Sequence, residues 1–245
     1  MYVKAIRRGR VHNNYTWKLG RNVCPQPWNA VDGFLGGFYI CKLEHLLEWI
    51  DMFPDVEECA LVSVPEGSLV AHYETSVKTN CVDVHEFLTL EDTVAYALSV
   101  GMFATPEALR WAAGAGHAYI VEMLLRAGVD ADAEDGLALC WAATGGHFAT
   151  VQMLAQSGAN VRSDDNAALC AAAAHGHADV VDLLLDWDAS ARARGNWPLR
   201  AAAACGYADV VDVLVRGGAY VYMDLVKETE GRGHTAAAEV LLAAL

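Results

Sequence analysis

Residues 164–193 read DDNAALCAAAAHGHADVVDLLLDWDASARA, and similar stretches follow one another along the second half of the chain. A glycine followed by histidine or tyrosine recurs in them every thirty residues, and once more after twenty-seven: Gly116-His117, Gly146-His147, Gly176-His177, Gly206-Tyr207 and Gly233-His234. A fixed period of this length is the signature of a stacked repeat array. The full units are 104–133, 134–163, 164–193 and 194–223, with a shortened unit at 224–245.

Each unit predicts two helices. The first is short and rich in alanine, as in Ala168–Ala174, and small side chains let the helices of neighbouring units approach closely. The second carries apolar residues at helical spacing, such as Val180, Val181 and Leu184. The units are therefore expected to stack in register and to bury one another's apolar sides.

The residue that ends each second helix is expected to adopt a left-handed φ. Gly128, Gly158 and Gly218 stand at this place, where glycine avoids the Cβ clash that other residues suffer. Asp188 replaces glycine in the third unit, and aspartate tolerates this conformation less well. We expect a small local weakness in that unit.

The units resemble ankyrin repeats through the pattern L-x-x-A-A-x-x-G-H-x-x-V-V-x-x-L-L-x-x-G-A. The usual T-P-L-H opening is replaced by EALR at Glu107, LALC at Leu137, AALC at Ala167 and WPLR at Trp197. The period is about three residues shorter than that of common ankyrin units, and the chain looks like the ankyrin proteins of giant DNA viruses of amoebae. The resemblance implies an all-α ankyrin-repeat solenoid with stubby turns between units, which binds proteins in a host cell.

The first part of the chain shows no such period, and we expect residues 1–90 to form a small α+β domain. Residues 91–103 are expected to cap residues 104–245 as a half-repeat, because terminal repeats need a polar outer face. The remaining predictions are a helix near Leu43–Met52 and strands near Tyr2–Arg7, Tyr15–Gly20, Glu58–Pro65 and Val77–Val84.

Composition and charge exclude several classes of protein. The formal net charge of −14 disfavours nucleic acid as a partner and favours a basic protein surface. No apolar stretch is long enough to predict a membrane span, and the basic start leads into no signal-like segment. The seven cysteines form no CxxC pair, so we expect neither disulfides nor zinc but an intracellular, non-secreted protein.

The concave face of the stack is the predicted site for a protein partner. Trp111 and Trp141 hold matching places on first helices, and tryptophan is enriched at binding hot spots. The alternative is that these indoles pack against the neighbouring unit. We expect the arginines of this face to pair with aspartates of their own repeat rather than with a ligand. The predicted partner-binding residues are Arg110, Trp111, Trp141, Thr144, His175, Trp197 and Arg200.

The recurring histidines do not predict a metal site. Stacking places His117, His147, His177 and His234 one per unit, roughly 10 Å apart, too far to share an ion. The resemblance to ankyrin repeats implies that each links backbone groups of adjacent units. No metal and no cofactor is therefore predicted.

Catalysis is not the favoured interpretation, although one alternative is open. Residues 36–40, GGFYI, faintly resemble a strand of ADP-ribosyl-transferring domains, which also need a histidine upstream and a glutamate downstream. His12 and Glu91 are available but stand in no recognisable motif. A structural role in a virus particle is the other alternative. The apolar end 240–245, VLLAAL, could be a homodimer contact.

Overall fold

The structure is a computed structural model that describes residues 2–7, 11–12, 15–24, 38–46, 56–73 and 76–245. Backbone contacts divide the chain into two compact units, Met1–Phe103 and Ala104–Leu245. The first contains the strands and the second contains the repeats.

The described strands of residues 1–103 are β1 (Tyr2–Arg7), β2 (Val11–His12), β3 (Tyr15–Thr16), β4 (Gly20–Val23), β5 (Phe38–Lys42), β6 (Val56–Ser63), β7 (Val70–His72), β8 (Ser76–Thr79) and β9 (Cys81–Thr89). Seven of them form an antiparallel sheet in the order β4-β9-β6-β1-β5-β8-β7. A separate two-stranded ribbon consists of β2 and β3. The predicted strand-rich N-terminal part is thus confirmed.

Strand periodicity places alternate side chains of this sheet in a common core. Trp17, Phe38, Ile40 and Val62 are buried together there, as expected when one face of a pleated strand is apolar. Helix α1 (Leu90–Ser99) follows β9 and packs on β6 and β9. Its first turn is capped by the Thr89 hydroxyl, which accepts a hydrogen bond from the amide of Asp92 at 3.1 Å.

Three details of residues 1–103 differ from the sequence prediction. The predicted strand near Tyr15–Gly20 is not continuous, because strand structure covers Tyr15–Thr16 and resumes only at Gly20. The stretch Val77–Val84 is not one strand, because Asn80 makes a bend between β8 and β9. The Asn80 side chain accepts a hydrogen bond from the amide of Leu69 at 2.8 Å, so the chain turns there and β8 and β9 pair with different neighbours. The predicted helix near Leu43–Met52 begins as a 3₁₀ turn at Leu43–His45, and its remainder lies outside the described residues.

Residues 104–245 consist of five helix pairs, one in each repeat unit. First helices pack against first helices of the next unit, and second helices do the same. Equivalent leucines at Leu109, Leu139, Leu169 and Leu199 are fully buried between them. The first helices are α2 (Pro106–Gly114), α4 (Ala133–Thr144), α6 (Ser163–His175), α8 (Ala193–Cys205) and α10 (Met223–Gly231); the second helices are α3 (Ala118–Arg126), α5 (Phe148–Gln156), α7 (Ala178–Asp186), α9 (Ala208–Arg216) and α11 (Thr235–Ala243).

The units are joined by tight left-handed turns, and residues 104–245 contain no strand. Three successive residues adopt positive φ in each of 134–136, 164–166 and 194–196. Glycine, asparagine or aspartate at most of these places makes the conformation accessible. The buried Asn196 side chain also accepts from the amide of Tyr220 and donates to its carbonyl, at 3.0 and 2.8 Å. The turn that opens the fourth unit is thereby tied to the end of the same unit.

The residues after the second helices adopt the predicted left-handed conformation. Gly128, Gly158 and Gly218 have φ of 91°, 99° and 89°, and Asp188 has φ of 70°. The strained aspartate is held by Arg162, whose Nε donates to the Asp188 carbonyl at 2.6 Å. Its guanidinium also forms an ion pair with the Asp188 carboxylate. A contact from the preceding unit therefore supports the one cap that lacks glycine.

The histidine ladder has the structural role that the family resemblance implied. The Nε2 of His147 donates to the Gly114 carbonyl at 3.0 Å, and that of His177 donates to the Thr144 carbonyl at 3.0 Å. In the last unit His234 makes the same bond to the Ala204 carbonyl at 3.1 Å. These side chains fasten the second, third and fifth units to the unit before each of them.

Candidate functional site

All seven predicted partner-binding residues lie on first helices: Arg110 and Trp111 on α2, Trp141 and Thr144 on α4, His175 on α6, and Trp197 and Arg200 on α8. We call the outward side of these helices the first-helix face. Trp141 and Trp197 are 49% and 39% exposed, whereas Trp111 is half-buried. The face between these indoles carries half-buried alanines, among them Ala171 and Ala174. It is therefore a shallow surface with large aromatic groups at intervals.

Trp141 both packs inside the stack and faces solvent. A Cβ atom on Gly114 of the preceding unit would lie only 2.8 Å from Cε3 of the Trp141 ring, so this glycine makes room for the indole. The guanidinium carbon of Arg110 lies 5.7 Å from the ring centroid, within the range of a cation–π contact. The packing interpretation therefore holds for one edge of the Trp141 indole, and the hot-spot interpretation of its exposed part stays a prediction.

Arg110 is neutralised inside the chain, and its partner differs from the one predicted. Its guanidinium forms an ion pair with the carboxylate of Glu134. Glu134 opens the second unit, so the prediction of an aspartate from the same repeat is wrong. The cause is the left-handed turn at 134–136, which brings the first carboxylate of one unit beside the first helix of the previous unit.

Thr144 and His175 are already engaged in hydrogen bonds. The Thr144 hydroxyl donates to the Cys140 carbonyl at 2.8 Å. The His175 Nδ1 donates to the Ala171 carbonyl at 2.9 Å, and its ring lies parallel to that of His177 with centroids 6.3 Å apart. Both side chains are therefore held in fixed positions on the first-helix face.

Trp197 and Arg200 lie at a pocket between the fourth and fifth units, which we call the end pocket. Its volume is about 220 Å³, and it is lined by Trp197, Arg200 and Ala204 and by Leu225, Glu228 and Arg232. Arg232 pairs with Glu228 at 2.9 Å. Arg200 is exposed and forms no ion pair with any residue that the structure describes.

The fifth-unit side of this pocket was missed by the sequence analysis. In the last unit the Gly-His pair comes three residues sooner after the start of the unit than in the others, so an alignment from that start puts its helices out of register. Counting back from the Gly-His pair gives the correct equivalence: Glu228 stands six residues before His234, as Trp141 stands six before His147. That count was the signal that could have identified Glu228.

The turns along the edge of the first-helix face carry exposed carboxylates. Asp135 and Asp165 are exposed and form no ion pair within the described part of the chain. Asp164 is paired with Arg194 of the next turn at 3.0 Å. The edge of the face therefore presents negative charge to a partner.

Cys140 and Cys170 of the first helices are poor nucleophiles. Burial raises the pKa of the Cys170 thiol to about 11 and also raises the pKa of the Cys140 thiol. Both are protonated near neutral pH, and a thiol is a much weaker nucleophile than a thiolate. Within the described ranges, no group of three or more histidine, cysteine, aspartate or glutamate side chains could hold a metal ion.

The residues proposed for the transferase alternative do not form a described site. Gly36 and Gly37 lie outside the described residues, as does the side chain of His12. Glu91 is exposed in the first turn of α1.

None of the helices described is both long enough and apolar enough to cross a membrane.

The helix pairs, the inter-unit histidine bonds and the exposed first-helix face define a helical repeat solenoid. The sequence model of the family described as ankyrin repeats (3 copies) matches residues 90–165 and 160–224, which is more than half of the chain. The chain therefore belongs to the ankyrin repeat family, whose repeats are generic protein–protein interaction modules. A comparison with curated proteins gives no match.

Proposed function

We propose that this chain is a non-catalytic adaptor that binds a protein partner through the first-helix face. The observation that carries the proposal is the exposure of Trp141 and Trp197 on that face. A half-exposed indole that is fixed at one edge offers a large apolar contact area at little further entropic cost. Such anchors are what a protein-binding surface needs.

The rest of the face supports the same proposal. Small side chains such as Ala171, Ala174 and Ala201 leave room for a partner between the indoles. Neighbouring first helices pack directly on one another, so the surface runs from unit to unit without a break. An extended segment or a helix of a partner fits such a surface better than a small molecule does.

Charge favours a partner that is basic where it meets the turns. Asp135 and Asp165 are exposed along the edge, and the whole chain has a net charge of −14. Such fields accelerate association with a basic surface and are screened by salt. We therefore expect the association rate to fall as ionic strength rises.

The resemblance of the thirty-residue units to giant-virus ankyrin proteins supports a host protein as the partner. The described residues offer no contact that favours the transferase or the virion alternative, and neither is proposed. The role of residues 91–103 as a capping half-repeat stays a prediction.

Self-association is a separate part of the proposal. Leu242 and Leu245 are 53% and 58% exposed at the last helix, and exposed apolar side chains of this size favour contact with another apolar surface. Analytical ultracentrifugation of the wild type and of Leu242→Glu tests it. A concentration-dependent dimer that the substitution abolishes is expected, and a wild-type monomer at every concentration would refute this part.

Affinity capture from a host-cell lysate with matched variants tests the main proposal. Trp141→Ala removes an exposed indole of the first-helix face, whereas Trp187→Ala removes one that is 41% exposed after a second helix. We expect Trp141→Ala to weaken capture of the partner by about 2 kcal/mol or more, and Trp187→Ala to leave it unchanged. Identical capture by both variants would contradict the proposal.

A further inference from the structure

The two ends of the first-helix face use equivalent positions differently. Between the first and second units, the indole of Trp141 fills the space over Gly114. Between the fourth and fifth units, Ala204 takes the place of Gly114 and Glu228 takes the place of Trp141. No indole enters this boundary from the fifth unit, and the space between the two helices remains as the end pocket of about 220 Å³.

The arginines at these two boundaries also differ. Arg110 and Arg200 stand seven residues before His117 and Tyr207, so they are equivalent. Arg110 pairs with Glu134, which stands thirteen residues before His147. The same count back from His234 gives Val221, so no carboxylate stands at this position. Arg200, at the mouth of the end pocket, consequently has no carboxylate partner among the described residues.

The charges of the end pocket add up to one excess positive charge. Arg232 is balanced by Glu228 at 2.9 Å, and Arg200 remains without a carboxylate among the described residues. One excess charge matches a carboxylate, which carries a single negative charge, better than a phosphate, which carries nearly two. A guanidinium also presents the paired donors that a carboxylate accepts.

The size and the walls of the pocket indicate which kind of carboxylate it can hold. Its volume of about 220 Å³ is below the roughly 300 Å³ at which small-molecule sites begin. Trp197 and Leu225 give it apolar walls that suit the methylene groups of a side chain. The pocket therefore fits one side chain of a larger partner rather than a whole ligand.

We infer that the end pocket binds one glutamate or aspartate side chain of the protein segment that lies on the first-helix face. The carboxylate pairs with Arg200, and the methylene groups lie against Trp197. This inference rests on the proposed function and adds to it the chemistry of one position in the partner. The partner segment is basic beside the turns and acidic at the end pocket, so the two charges fix its direction along the face.

Selection from a random dodecapeptide display library, with the full chain as bait, tests the inference. The selected peptides are expected to share an Asp or Glu at one position. Titration calorimetry then compares the tightest peptide with its Glu→Gln or Asp→Asn form on the wild type and on Arg200→Gln. We expect the neutral peptide to bind the wild type roughly tenfold to a hundredfold more weakly, and both peptides to bind Arg200→Gln alike.

Arg216→Gln is the matched control. Arg216 is exposed on second helix α9 and pairs with Asp212 at 3.1 Å, so its loss should leave the difference between the two peptides unchanged. Selected peptides without a shared carboxylate, or a carboxylate effect that persists in Arg200→Gln, would overturn the inference and leave the proposed function standing. If the library yields no binder, the proposed function fails. A second measurement then tests whether the end pocket binds a carboxylate.

That second measurement is the NMR signal of the Trp197 indole N–H, assigned by its absence in Trp197→Phe. Titration of the full chain with N-acetyl-glutamate N-methylamide is expected to shift this signal saturably, and the glutamine analogue is expected to leave it in place. Equal shifts with both compounds, or none with either, would count against a carboxylate pocket.

Discussion

The boundary between the first two repeats and the boundary between the last two have the same backbone plan and different surfaces. At the first, the Trp141 indole lies over Gly114 and Arg110 is neutralised by Glu134. At the last boundary, Glu228 stands at the position of the indole, and Arg200 pairs with no carboxylate of the described residues. The difference shows that stacking fixes where side chains stand, whereas residue identity decides whether a boundary is filled or open.

The largest effect is expected in the core that both boundaries share. Leu139 and Leu199 hold equivalent places and are fully buried. Replacing either with alanine should lower the free energy of unfolding by about 2–5 kcal/mol, because the transfer energy is lost and a cavity remains. Urea unfolding followed by circular dichroism measures this. A cost below about 1 kcal/mol at Leu199 alone would mean that the last boundary is loosely packed.

Gly114→Ala tests whether the Trp141 indole fills the boundary between the first two repeats. The added methyl group would collide with the Trp141 ring at 2.8 Å, and we expect a net loss of stability of about 1 kcal/mol. In a Trp141→Ala background the collision is gone, so the same change should stabilise the helix by about 0.5–1 kcal/mol. Thermal unfolding of the single and double variants shows whether the sign reverses. The same sign in both backgrounds would mean that the indole does not occupy the space over Gly114.

The smallest effects concern the two arginines. Arg110→Gln breaks a partly exposed ion pair and should lower stability by no more than about 1 kcal/mol. Arg200→Gln breaks no described ion pair and should change stability by less than about 0.5 kcal/mol, although it removes the proposed carboxylate contact. A large loss of stability in Arg200→Gln would show that Arg200 has a structural partner.

The sequence predicted the parts of this structure that follow from periodicity. The Gly-His register and the apolar spacing of residues such as Val180 and Leu184 identified the helix pairs, because each unit must bury the same positions. The residues with left-handed φ after the second helices were predicted for the same reason, and Asp188 takes that conformation like the glycines. A backbone constraint that recurs in the units requires similar residues at equivalent positions, and this recurrence is visible in the sequence.

The contacts that break the repeat could not be predicted in this way. The left-handed turn recurs in three units, but a glutamate opens it only at Glu134, so the pairing of Arg110 with Glu134 depends on residue identity and not on the period. The end pocket depends on the last unit, whose Gly-His pair comes three residues sooner than in the others, and this places Glu228 out of the apparent register. In residues 1–103, the bend at Asn80 divides a stretch whose strand propensity is continuous.

The most direct test of the central claim is an NMR titration of the full chain with the captured partner, following the indole N–H signals of three exposed tryptophans. Trp141 and Trp197 lie on the first-helix face, and Trp187 follows a second helix. We expect the signals of Trp141 and Trp197 to move together and to saturate while that of Trp187 stays in place. A shift confined to Trp187 would show that the partner binds elsewhere and would contradict the account.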